Sequence, residues 1–192
     1  MNSVARDIAL GREIASGEFR NAMRHLTGGV SVITAGRGGD ISGMTVTSVT
    51  SLAIEPPVLT VAINRKASTL PLLRRYGAFG VNILASDQAG IAEQFTGKDG
   101  RKGAERFGGI SWTAGPFGIP LLSNALVAIG CEVDEIIERH SHAIAFGRVV
   151  DLVTSKQSAA LAYWRGEYLA IARDSNLSRI SDIGLPTDLL QT

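Results

Sequence analysis

The β-patterned segments of this chain follow one another with little between them, and that limits the folds open to it. Residues 30–35, 58–63, 79–84, 126–137, 143–153 and 167–171 are apolar-rich runs bounded by glycine, proline and polar turns. Residues 41–54 read as one more extended stretch, ended by Pro56-Pro57, and 111–114 as a short strand. The predicted helices are short: 19–26, one opening at Ser68 or Thr69, 87–95 with Asp87 as its cap, and one near 158–163. Parallel neighbours need a crossover connection, usually a helix, and most of these connections have no room for one. The predicted fold class is therefore mainly β (α+β), an antiparallel barrel with a few helices on its rim.

A chain of 192 residues is enough for one domain with a real core. Only 19% of the residues are charged, which suggests additional buried surface such as an oligomer provides. A net charge of +1 supplies no global field to recruit nucleic acid or an anionic membrane, so neither is an expected partner. The single cysteine, Cys131, excludes an internal disulfide framework and a thiolate-rich zinc site. It lies in the apolar run "ALVAIGC" and reads as a buried, inert thiol. Residues 1–18 read as an N-terminal extension without a signal-peptide apolar region, 19–172 as the domain, and 173–192 as a more polar tail. No run reaches the length of a membrane span, so the expected location is the cytoplasm.

Several familiar chemistries lack their signature. No G-x-G-x-x-G follows a strand and opens a helix, and Walker A and G-x-S-x-G are absent. "ERHSH" offers Glu138, His140 and His142, but without cysteines or a helical H-x-x-x-H no metal site is expected. Asp134 and Glu138 share a strand face and read as a solvated surface. "GKDGRKG", within a glycine-rich loop at 96–109, reads either as a phosphate grip or as a mobile surface loop.

Two segments point more directly to a ligand. In "GMTVTSVTS" the strand period puts Thr45, Thr47 and Ser51 on one face and Ser48 and Thr50 on the other, so hydroxyls point both ways. In "INRKAST" a buried strand runs out through Asn64, Arg65 and Lys66 into a helix start at Ser68 and Thr69. Such a start presents unpaired N–H groups and a positive dipole end, which suits a phosphate; an ordinary N-cap is the equal alternative. A tight turn at Pro56-Pro57 would fold the two segments together. Both would then face one phosphorylated, planar ligand.

"GMTVTSVTSLAIEPPVLTVAINRKASTLPLL" resembles the signature region of the short-chain flavin reductases, the reductase components of two-component flavin-dependent monooxygenases. The likeness continues in the family's order through "GAFGVNILASDQAGIAEQFTG", "RFGGISW", "GIPLLSNALVAIGCEV", "HAIAFGRV" and "AYWRGEYLAI", over residues 19–171. The resemblance implies an FMN-binding split barrel, a homodimer, and NAD(P)H:flavin oxidoreductase activity on FMN or FAD, with NADH or NADPH as hydride donor. A separate monooxygenase would receive the reduced flavin. It also implies that Thr45, Val46, Thr47, Ser48 and Ser51 line the isoalloxazine edge and ribityl chain. Ala62 and Asn64 would lie near the ribityl and phosphate, and Ser68 and Thr69 would hold the phosphate, to which Arg65 or Lys66 at the strand exit can add charge. His142 would lie on the nicotinamide side, although "RHSHA" stands where Gly-Asp-His is usual. Tyr168 matches a position near the mouth of the site. The cofactors carry the hydride chemistry, so no essential catalytic side chain is expected. A flavoprotein that only binds or carries FMN would share the barrel.

Overall fold

The computed structural model describes residues 13–157 and 159–172. The polar tail and most of the N-terminal extension lie outside the described residues. A short helix α1 (Ser16–Met23) leads into β1 (Gly28–Gly29), β2 (Ser31–Arg37), β3 (Asp40–Val46), β4 (Val49–Ala53) and β5 (Val58–Asn64). Helix α2 (Thr69–Tyr76), β6 (Ala78–Ile83) and helix α3 (Ala89–Gln94) follow. After a 3-10 turn at Gly103–Phe107 come β7 (Trp112–Ala114), β8 (Pro120–Leu122), β9 (Val127–Arg139), β10 (His142–Thr154), β11 (Ala160–Trp164) and β12 (Glu167–Ile171).

Seven strands form one antiparallel sheet in the order β3-β2-β6-β9-β10-β5-β4. Its two edges, β3 and β4, are consecutive in the chain and separated only by Thr47 and Ser48. Three Cα–Cα steps span roughly 10 Å at most. The edges must therefore approach one another, and the sheet curls into a barrel that stays unpaired along the β3/β4 split. This is the split-barrel class that the sequence implied, but residues 41–54 are not one strand. They change edges at Thr47-Ser48, which a continuous extended run could not do.

The barrel is filled by side chains that strand alternation turns inward. Ile33, Val61, Ile63, Phe79, Val81 and Cys131 are fully buried there. Helix α2 adds Leu70, Leu72 and Leu73 to the same core. It stops at Gly77, whose φ of 62° lets its N–H bond Leu73 O. A second core lies where Val30 and Leu84 meet α3, the 3-10 turn and β11 through Phe95, Phe107 and Leu161. The rings of Phe95, Phe107 and Trp112 meet there at 4.9–5.6 Å between centroids.

Two local expectations need correction. The segment 158–163 is not a helix: β11 occupies 160–164, and Ser158 lies outside the described residues. The reason is the two-residue turn after it, where Arg165 and Gly166 both take positive φ (52° and 99°). That turn sets the β11–β12 hairpin and pairs Tyr163 with Tyr168. Asp87 does not cap α3; Gln88 precedes it, and its side chain instead accepts from Ala85 N and donates to Asn124 O. Among the described residues no helix is long and apolar enough to cross a membrane.

Candidate functional site

A cleft of about 490 Å3 opens between the end of β5, the start of α2, β3 and the loop after α3. Thr45, Asn64, Ser68 and Thr69, all predicted from sequence, line it together. Met44, Ala67 and Phe95 give it an apolar wall, and Thr96, Lys66, Lys102 and Arg106 complete it.

The β5–α2 turn is shaped by its own asparagine. Asn64 Oδ1 accepts from Lys66 N at 2.9 Å, and Asn64 O accepts from Ala67 N at 2.9 Å. Ser68 is the N-cap of α2, yet its hydroxyl makes no capping bond. It lies 2.8 Å from Ser42 Oγ, which is 3.4 Å from Thr69 Oγ1. The helix start and β3 are thus joined by three hydroxyls, two of them buried. Ser42 escaped sequence reasoning because one serine on a strand carries no signal of its own.

The hydroxyl-rich strand serves several partners. Thr45 Oγ1 donates to Ala92 O at 2.6 Å, and Thr45 N to Phe95 O at 3.2 Å, which ties β3 to α3. Ser48 Oγ donates to Ala62 O at 2.9 Å across the β4–β5 pair. Thr47 is exposed at the β3–β4 junction, Ser51 is exposed on β4, and Val46 points into the barrel core. Val46, Thr47, Ser48, Ser51 and Ala62 are not among the residues lining the cleft.

The remaining predicted residues are placed elsewhere. Arg65 turns away, 2.9 Å from Glu138, and donates to His140 O at 3.2 Å. His142 is exposed where β10 begins, opposite Asn64 on β5, with Nδ1 2.9 Å from Ser141 Oγ. Tyr168 is half-buried on β12, its ring 5.3 Å from that of Tyr163. Burial pushes its phenol above the usual range, reinforced by Glu93 and Tyr163. Among the described residues no group of three histidine, cysteine or acidic side chains could hold a metal.

The glycine-rich loop turns out to be a wall of the cleft. Arg106 Nη1 donates to Gly43 O at 2.8 Å and Nε to Arg101 O at 2.9 Å, so one guanidinium clamps the loop to β3. Gln94 adds bonds to Arg106 O and Gly108 O at 2.7 and 3.0 Å. Lys66, Lys102 and Arg106 bring three cations to the cleft, and no carboxylate lines it. Among the described residues neither the Lys66 nor the Lys102 ammonium forms an ion pair with a carboxylate, although Lys102 N donates to Glu105 Oε2 at 3.0 Å. A cation-rich, hydroxyl-lined end beside an apolar wall suits a planar ligand that carries a phosphate.

The family model for the flavin reductase like domain matches residues 23–172. The chain belongs to the flavin reductase family. It is 30% identical over 178 residues to the reductase subunit HsaB of a flavin-dependent monooxygenase from Rhodococcus jostii, covering 92% of this chain and 89% of that one. It is 37% identical over 150 residues to the FMN reductase (NADH) RutF of Pseudomonas syringae pv. syringae, covering 78% of this chain and 83% of that one. Its structure is similar to that of BorF, the flavin reductase component of a bacterial two-component tryptophan halogenase. There the TM-score is 0.76 at 27% identity, covering 83% of this chain and 100% of BorF. The antiparallel split barrel is the architecture of these reductases.

Proposed function

We propose that this flavin reductase takes FMN or FAD into the cleft between β3, α2 and the clamped loop, reduces it with NADH or NADPH, and releases it to a separate monooxygenase component. The observation that carries this reading is the donor set: three cations and no carboxylate at one end, beside the hydroxyls of Ser68 and Thr69. The residues fit the ligand. A phosphate at the α2 start would meet Lys66, Lys102, the two hydroxyls and the positive end of the helix. Met44 and Phe95 would exclude water from one flank of the ring. The flavin supplies the chemistry, accepting a hydride from the nicotinamide. The chain binds, orients and shields. No side chain in the cleft has to carry a proton for the hydride to pass.

The working form is proposed to be a homodimer in the cytoplasm. Exposed apolar side chains support an association surface: Ile54 is 83% exposed, Leu152 56% and Val153 58%. The recipient monooxygenase is supported by the reductase role of the relatives named above.

Steady-state oxidation of NADH and NADPH with FMN, FAD and riboflavin as acceptors tests the reading. Turnover with FMN or FAD is expected, with a higher KM for riboflavin, which lacks the phosphate. No turnover with any pair would overturn it.

A further inference from the structure

The cleft has a neighbour. A second basin of about 520 Å3 lies across the β5–α2 turn, and Asn64 and Lys66 line both. Leu70 gives it an apolar contribution from the first turn of α2. Arg65, Arg74 and the β9–β10 hairpin, through Glu138 and the turn at His140 and Ser141, form the rest. Glu138 anchors both arginines: one oxygen lies 2.9 Å from Arg65, and the other accepts from Arg74. The hydrogen bond from Arg74, aided by the charges of Arg65 and Arg74, holds the Glu138 carboxyl below its usual range, so the anchor is ionised. Two long side chains that would otherwise sweep solvent are thereby restrained, with their flat guanidinium groups beside the basin.

We propose that this basin receives the adenosine phosphate half of a dinucleotide, with Lys66 serving the phosphates on both sides of the shared turn. The proposal rests on reading the first cleft as the flavin site. Three cations face one carboxylate, which leaves charge for a phosphate. A restrained guanidinium stacks well on a purine face, and Asn64 and Ser141 can bond ribose hydroxyls. The other recess beside the cleft, about 420 Å3 past Thr96, suits this ligand less well. There Glu93 and Asp99 offset Lys98 and Arg101, and Asp99 already holds Arg101 at 2.9 Å. The same adenosine phosphate chemistry could arrive on FAD or on the nicotinamide dinucleotide.

The experiment uses the full chain, its Arg74→Ala variant and Arg74→Lys. Fluorescence titration gives Kd for FMN and FAD, with AMP as a competitor, and steady-state assays with FMN as acceptor give KM for NADH and NADPH. If FAD's adenylate occupies the basin, Arg74→Ala raises the FAD Kd by roughly five- to thirtyfold and leaves the FMN Kd within about twofold. AMP then displaces FAD but not FMN, and Arg74→Lys recovers only part of the loss because charge returns without the plane. If the hydride donor's adenylate occupies it, KM for NADH or NADPH rises by a similar factor while both flavin affinities hold. Equal weakening of FMN and FAD, or no change in the FAD Kd and in either KM, overturns the proposal. Failure of the unmodified chain to bind FMN would instead overturn the reading of the first cleft.

Discussion

Lys66 and Lys102 carry the most direct consequence at the scale of single residues. Both line the cleft, and among the described residues neither ammonium is ion-paired with a carboxylate, so their charge is available to a ligand phosphate. Lys66→Ala and Lys102→Ala are each expected to raise the FMN Kd by about three- to tenfold, the size of a partly exposed charge-assisted bond. Riboflavin, with no phosphate, should change by less than about twofold in the same titration. Equal losses for the two flavins would place the phosphate elsewhere. Cys131 makes a prediction of the opposite kind. It is fully buried in the barrel, and desolvation pushes its thiol from 9.0 up to about 12. The folded chain should resist a thiol reagent near pH 8 and react once urea unfolds it. The sign for stability follows from linkage. Between pH 9 and about 12 the unfolded thiol loses its proton while the folded thiol keeps it, so stability falls as pH rises through that window. Urea midpoints should therefore decline less steeply across it in Cys131→Ala than in the unmodified chain.

At the scale of elements, the loop after α3 is tied to the rest of the cleft through the side chains of Arg106 and Gln94. Arg106 joins it to β3 through Gly43 O and to itself through Arg101 O, and its guanidinium also lines the cleft. Arg106→Ala should free the loop from β3, raise flavin Kd about tenfold, and speed proteolytic cleavage within residues 97–105. Thermal unfolding should shift little, because the barrel core does not depend on this contact. Unchanged proteolysis would show that the Gln94 bonds and the packing of Phe107 hold the loop without Arg106. The same element marks where sequence reading reached its limit. The helix start at Ser68 and Thr69 was legible because it combines a local cap pattern with a strand exit. The loop's glycines and cations were legible as a composition, but its docking depends on a bond from Arg106 to Gly43, 63 positions away. Local pattern carries no information on a pairing of that separation. The segment at 160–164 was misread for a related reason: helix and strand patterns compete in a short alanine-rich run, and the positive-φ turn at Arg165 and Gly166 decides between them.

For the whole molecule, the junction at Thr47 and Ser48 sets the architecture, since it forces the two edges of a seven-stranded sheet together. The strands themselves were legible from alternation and turns; their order was not, because pairing of β6 with β9 or β10 with β5 joins segments far apart in sequence. Closure leaves apolar side chains outside as well as in. The β4–β5 turn meets β10 through Val149 N to Pro57 O at 2.9 Å, and Ile54 on that turn and Leu152 and Val153 further along β10 are exposed. These side chains gain nothing from the barrel core, and a second copy of the chain is the occupant proposed for them. A charge placed at the centre of such a surface must be desolvated on association, which costs several kcal/mol when unpaired. Leu152→Asp is therefore expected to shift sedimentation equilibrium from dimer to monomer, with the circular dichroism of the barrel retained. Lys156→Glu, on the exposed segment beyond β10, should leave the dimer mass unchanged as a control for added negative charge. A monomeric mass for the unmodified chain, or a dimeric Leu152→Asp variant, would remove these side chains as the dimer surface.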